Sequence, residues 1–374
     1  MMDLTAIPLY DHHCHALRRP GAALDGAAFR RHFGESRDPA MAAHQSSGLF
    51  YGRSLRDLAA LLGCAPEEDS VLAARHRQPP EAHARRLLDA AHVVALLVDT
   101  GFRGAENYTL TEQREFLPCP IHEALRLETL AERLIAEAAN FDEVEDAFRA
   151  ALADVRARGI LAFKSIIAYR GGLTVRPRTR AEAAAAFPAL RERAVRDGRV
   201  RLTSRPVLEY LLRVGLEAAA VQELPVQFHT GLGDADLDLR RANPLRLRPL
   251  LEEAAWRGVP FVLLHCYPFV REAGYLASIY GNVFLDLSLT IPFTAHGGEA
   301  AVRAALELAP TSKVLLGTDA FSIPELFYLG ALHAREGLAR ALTRLTAEGW
   351  LTPGQAERAA RQMLCENAAA LYGG

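Results

Sequence analysis

The chain has 374 residues, half of them hydrophobic and 24% charged, which is the composition of a folded globular protein. Its 43 Lys and Arg against 45 Asp and Glu leave a formal charge of -2, with no basic excess to neutralise a nucleic-acid backbone, so nucleic acid is excluded as a partner. No apolar run approaches the ~18 residues that cross a bilayer, the start (MMDLTAIPLYDHHCH) lacks the pattern of a secretory leader, and five scattered cysteines without a CxxC pair predict a reducing, cytoplasmic setting.

Eight short apolar runs succeed one another, most of them closing on a polar residue. The first, Ile7 to Tyr10, leads into Asp11-His12-His13-Cys14-His15, and the second spans His92 to Asp99. A weaker third runs from Ile121 to Glu128, the fourth from Ile160 to Ile166, the fifth from Val226 to His229 and the sixth from Phe261 to His265. Val283 to Ser288 and Val314 to Asp319 complete the set. Runs that are apolar throughout predict strands buried on both faces. Between them lie segments with helical spacing: Leu130 to Arg158, Arg180 to Arg196, Pro206 to Ala220, Leu245 to Arg257 and Ala300 to Leu308. Strand and helix alternating about eight times predicts an α/β fold, a distorted (β/α)8 TIM barrel in one unit over 1–374. No GxGxxG stands after an early strand, which argues against a dinucleotide fold. Residues 16–91 exceed what one crossover needs and carry helical pattern, so they are expected to form a helical insertion over the barrel mouth. The segment Leu326 to Tyr372 is helical and is expected to close the barrel exterior, with Trp256 and Trp350 in the core.

The chemistry concentrates at strand ends. His13 and His15 are two apart, so on a strand they face the same way, which in a barrel is inward at the catalytic rim. Two imidazoles there suit a divalent metal, zinc first; the alternative is a pair of solvent-facing histidines. His229, His265 and Asp319 each end a later run, and four strand ends bearing His or Asp favour a metal site. Lys164 lies within ILAFKSII, where an ammonium is costly to bury; it reads either as a lysine reaching the rim or as one carbamylated by carbon dioxide and able to bridge two metals.

Together these residues resemble the metal-dependent amidohydrolase superfamily. FKSIIAYRGGL (163–173), VQFHTGLGDADLDLRRANPLRLRPLL (226–251), LLHCYPFVREAGYLA (263–277) and LLGTDAFSIPELFYLGA (315–331) are similar to its amidohydrolase-2 type, and to the amidohydrolase half of FluG-like proteins. The resemblance implies a hydrolytic reaction at one or two divalent ions, most simply Zn2+. Carried over by position, His13, His15, His229 and Asp319 are metal ligands, and His265 is either a ligand or an electrophile on the substrate. Asp319 then takes the proton of the attacking water, and the expected function is cleavage of an amide C–N bond. Related barrels decarboxylate aromatic acids or isomerise sugar acids, which stand as alternatives, as does a catalytically silent metal-binding regulatory module.

The substrate is read as a small molecule, held by Tyr169 and Arg170 after the fourth strand; a guanidinium there suits a carboxylate-bearing or γ-glutamyl compound, or a structural salt bridge. Asp234, Asp236 and Asp238 lack the Gly and distal Glu of a calcium loop, and Arg240 and Asn243 are placed to tie this segment down. Arg126 and Glu128 read as an internal ion pair, Tyr267, His296 and Glu325 as reaching the mouth, and Cys14 and Cys266 as packing residues. A homo-oligomer is left open, since no seam is visible.

Overall fold

In a computed structural model, residues 1–21, 24–102 and 104–373 are described. Eight parallel strands pair in sequential order: β1 (Leu9–His15), β2 (Val93–Asp99), β3 (Ile121–Arg126), β4 (Ile160–Ser165), β5 (Val226–Thr230), β6 (Phe261–His265), β7 (Val283–Asp286) and β8 (Val314–Leu315). Each apolar run became a strand because its side chains have two dry faces to fill. Odd positions enter the barrel and even ones meet the helices outside, or the reverse.

The last strand is short, and closure is made by the residues after Leu315. Asp319 N donates to His13 O at 2.9 Å, His15 N to Ala320 O at 2.8 Å and Arg18 N to Ser322 O at 2.9 Å. Lower down, the Asp11 carboxylate accepts from Thr318 N at 2.8 Å and Thr318 Oγ1 at 2.5 Å. The sheet thus returns on itself as a (β/α)8 barrel.

The barrel interior is filled by Tyr10, Leu97, Val262, Leu264 and Leu315, with alanines at 95, 124 and 162. Those three small side chains on β2, β3 and β4 leave room that Tyr372 occupies, fully buried, from the last helix, Asn367–Tyr372. The C-terminal segment therefore does more than coat the exterior: Pro324–Ala347 packs outside, while the final turns plug the floor.

Between β1 and β2 lie five helices: Gly26–Arg30, Met41–Gln45, Leu49–Leu62, Glu68–His76 and Pro80–Ala90. Two other expectations are corrected. Leu245 to Arg257 is broken into a 3-10 turn, a four-residue helix and another 3-10 turn, because Pro249 has no N–H to continue a longer helix. Trp350 lies past the end of Pro324–Ala347 and is 75% exposed, whereas Trp256 is buried.

Candidate metal centre

β1 carries the densest chemistry, and it is bulged. Asp11 pairs with Leu96 but Cys14 with Val98, so one extra residue is accommodated between them. The bulge turns both His12 and His13 inward, while His15 returns to the same side two residues on. Cys14 faces outward with its Sγ against Leu97 O. Burial pushes its thiol well above the ordinary range, as it pushes Cys266 up to about 12, so both pack rather than ligate.

Three acceptor atoms converge at the rim. Asp319 Oδ1 lies 3.2 Å from His13 Nε2 and 3.3 Å from His15 Nε2. The proton of His15 is on the far nitrogen, because its Nδ1 faces the carbonyl of Asp99 at 3.1 Å, which can only accept. His13 Nδ1 likewise faces Gln227 Oε1 at 3.0 Å. Both Nε2 lone pairs therefore look at a carboxylate oxygen that is buried and accepts no hydrogen bond. Burial would raise the Asp319 carboxyl, but the neighbouring His265 pulls the other way and it stands well below the usual range. Two lone pairs and an anionic oxygen call for a cation, and this donor set fits a divalent metal once the proton of Lys164 beside His13 Nε2 is displaced.

Lys164 is 2% exposed, with Nζ 3.1 Å from His13 Nε2. Burial pulls its pKa down to about 8, against the opposing pull of Asp99 and Asp319. His265, at φ 67°, places Nδ1 3.2 Å from Ser288 Oγ and 3.7 Å from Asp319 Oδ2. His229 stands at the edge of the cluster, its ring 4.6 Å from both His265 and Tyr169. Its Nε2 is buried without a partner, and a Cβ at Gly233 would overlap both that nitrogen and the Tyr169 hydroxyl. Two metal-sized groups emerge among the described residues, His13–His265–Asp319 and His13–His15–Asp99. Asp99 closes the second apolar run but is not singled out as a ligand by the sequence, and it is engaged elsewhere: Arg126 Nη2 holds its Oδ2 at 2.6 Å and Arg126 Nε reaches both oxygens. The Arg126 ion pair is thus made with Asp99 and not with Glu128, which instead accepts from Ser165 Oγ and Ile166 N.

Above the cluster opens a cavity of about 630 Å³. Tyr169, Arg170, His229 and Lys164 line it from the barrel, and Ala28, Arg31 and Arg37 line it from the insertion. Tyr169 OH accepts from Asp234 N at 3.2 Å, and Arg170 Nε donates to Glu132 at 3.0 Å while its side chain still borders the cavity. Asp234 and Asp236 face Arg37 at 3.1 and 3.2 Å, so these acids clasp the insertion rather than hold calcium. Asp238 pairs with Arg240 and Asn243 caps the adjoining turn. Tyr267, His296 and Glu325 do not line this cavity: His296 borders another groove, and Glu325 is buried against Arg75 and His83.

Comparison with known proteins bears on the family and the fold. The chain is 31% identical to protein fluG of Emericella nidulans over 98% of its own length, and spans 45% of that relative. A crystal structure from Lactobacillus casei, of a protein assigned as a metal-dependent hydrolase, is 33% identical with a TM-score of 0.89, covering 100% of this chain and 98% of that one. A uronate isomerase from Thermotoga maritima superposes with a TM-score of 0.70 at 16% identity, covering 98% of this chain and 95% of that one, a likeness of fold alone. The family Amidohydrolase matches residues 10–374, nearly the whole barrel with its rim residues, and the chain belongs to that family.

Proposed function

We propose that this chain is a metal-dependent hydrolase that holds zinc on His13, His15 and Asp319 and cleaves the amide bond of a small, carboxylate-bearing molecule. The observation that carries it is Asp319 Oδ1, buried without a hydrogen-bond partner and faced by the Nε2 atoms of both His13 and His15. A divalent cation there supplies a Lewis acid and a water acidic enough to react near neutral pH.

The chain's own residues do the rest. Asp319 Oδ2 is the oxygen turned from the His13 and His15 lone pairs, and it accepts the proton of the attacking water and returns it to the leaving nitrogen. His265, with its Nδ1 3.7 Å away, borders that oxygen. His229 and Tyr169 form the wall on which the substrate lies, and Arg170, tied at Nε to Glu132, offers its remaining edge to a substrate carboxylate. The insertion residues Arg31 and Arg37 roof the cavity and limit water.

The test is a screen of the purified chain, with metal analysis, against N-acyl and γ-glutamyl amides beside sugar acids and aromatic carboxylates. Amine release, lost together with bound metal in a His13→Ala, His15→Ala double variant, supports the reading. Isomerised sugar acid or carbon dioxide as product, or full turnover without metal, overturns it.

A further inference from the structure

Beneath the rim runs a set of buried polar side chains of which the proposed reaction uses only His13. His12, His13, Gln227, Asp286, Ser288 and Tyr372 are 0% exposed, so their partners lie inside the barrel. Their donors and acceptors admit one consistent direction. His12 O can only accept, so the Gln227 amide nitrogen must face it, at 2.8 Å. Gln227 Oε1 then faces His13 Nδ1, which must carry the proton. The second N–H of Gln227 goes to the Tyr372 hydroxyl at 3.0 Å. That hydroxyl has one proton to give, and His12 Nδ1 is 3.4 Å away. His12 therefore keeps its proton on Nε2, 3.0 Å from Asp286 Oδ1. A doubly protonated His12 would leave the Tyr372 proton without an acceptor.

The same carboxylate serves the other side of the centre. Asp286 Oδ2 accepts from the Ser288 hydroxyl and from His265 N at 3.2 Å. With its proton spent, Ser288 Oγ accepts from His265 Nδ1 at 3.2 Å.

We infer that Tyr372 and Asp286 are positioning residues, rooting one directed hydrogen-bond network that holds the protons of both His13 and His265 on Nδ1. The consequence for metal binding rests on the proposed site; the tautomers themselves do not. Outer partners that fix a ligand's tautomer typically change metal affinity by ~10–100-fold. Tyr372, on the last helix, thereby acts on His13 through one intervening side chain, Gln227.

Isotope-labelled histidine, read by imidazole nitrogen shifts in the metal-free protein, is expected to show Nδ1–H at His13 and His265 and Nε2–H at His12. Tyr372→Phe keeps the ring and removes only the hydroxyl. It is expected to release His12 from its single tautomer and weaken zinc binding by roughly tenfold, with the metal-free protein still cooperatively folded at a melting temperature lowered by the lost hydrogen bonds. Tyr10→Phe is the matched control: its ring lies 6.3 Å from that of Tyr372, and its hydroxyl is buried without a partner, so zinc affinity should not move. Ser288→Ala is expected to free His265 alone. The network is overturned if metal-free His13 carries its proton on Nε2, if Tyr372→Phe binds zinc as the parent does, or if Tyr10→Phe weakens it equally. Wild-type signals as stated without amide hydrolysis would support the network and overturn only the proposed reaction.

Discussion

Lys164 is the residue whose charge decides whether the cluster can take a cation. Protonated, it gives a hydrogen to the His13 Nε2 lone pair 3.1 Å away and repels any metal there. Burial holds its pKa at about 8 and holds His13 down to about 3, so near neutrality the proton to be displaced is the lysine's. Zinc affinity should therefore rise with pH up to about 8 and flatten above it, because metal binding expels that proton. Lys164→Met should remove this slope and tighten binding at about pH 6–7, measured by competition with a chelator; an unchanged slope would assign the proton elsewhere. Asp319→Asn keeps the shape but cannot accept the water's proton, and turnover should fall by ~10²–10⁴-fold in a steady-state assay. His13, His15, His265 and Asp319 were legible because each ends an apolar run. His12 was not, because alternation along an ideal strand sends it outward, and only the bulge between Asp11 and Cys14 turns it in. Asp99 ends an apolar run as well, so its place at the rim was legible; its partner was not, since nothing local signals that Arg126 will hold it.

The insertion's helices are held over the barrel by a buried charge rather than by their exposed pairs. Glu325, in the first turn of Pro324–Ala347, accepts from Arg75 Nε at 2.7 Å and faces His83 Nε2 at 2.8 Å. Burial works to raise its carboxyl, yet Arg75 and His83 prevail and hold it at about 2, below its ordinary 4.5. A depressed carboxyl stabilises the fold fully above about 4.5, and that contribution is lost as pH falls towards about 2. Glu325→Gln leaves Arg75 without its counter-charge and should cost about 3–5 kcal/mol by denaturant unfolding near neutral pH. The gap between variant and parent should narrow through the acid range; a gap constant with pH would mean that packing, not charge, anchors the insertion. By contrast Arg37, 62% exposed, should contribute well under about 1 kcal/mol to stability through Asp234 and Asp236. Helical periodicity made the insertion readable as an element. Its anchor was not readable, since the partners stand 250 and 242 positions apart and share no pattern.

At the scale of the molecule, eight two-faced apolar runs were enough to specify a barrel, because parallel strands covered by crossover helices leave little choice of architecture. How the barrel closes was not legible. β8 pairs over only two residues, and closure depends on the chain after it, with Asp319 N on His13 O and His15 N on Ala320 O. The same segment is buttressed from below: Leu316 N donates to Met363 O, and the Asn367 amide donates to Thr311 O at 2.8 Å and Val314 O at 2.9 Å. The site and the floor are thus two ends of one closure. Emptying the floor should loosen both, since the alanines at 95, 124 and 162 cannot fill the space left by a tyrosine. Tyr372→Ala should cost about 3–5 kcal/mol of stability, as large-to-small aromatic truncations in cores do. It should also speed amide exchange at Asp319 and His15, the two closing donors, measured by hydrogen exchange in the metal-free protein. Exchange confined to the last helix would show instead that the barrel closes without its plug. Tyr372→Phe, which keeps the volume, should leave exchange at the seam as it was, separating the ring that fills the floor from the hydroxyl that meets Gln227 and His12.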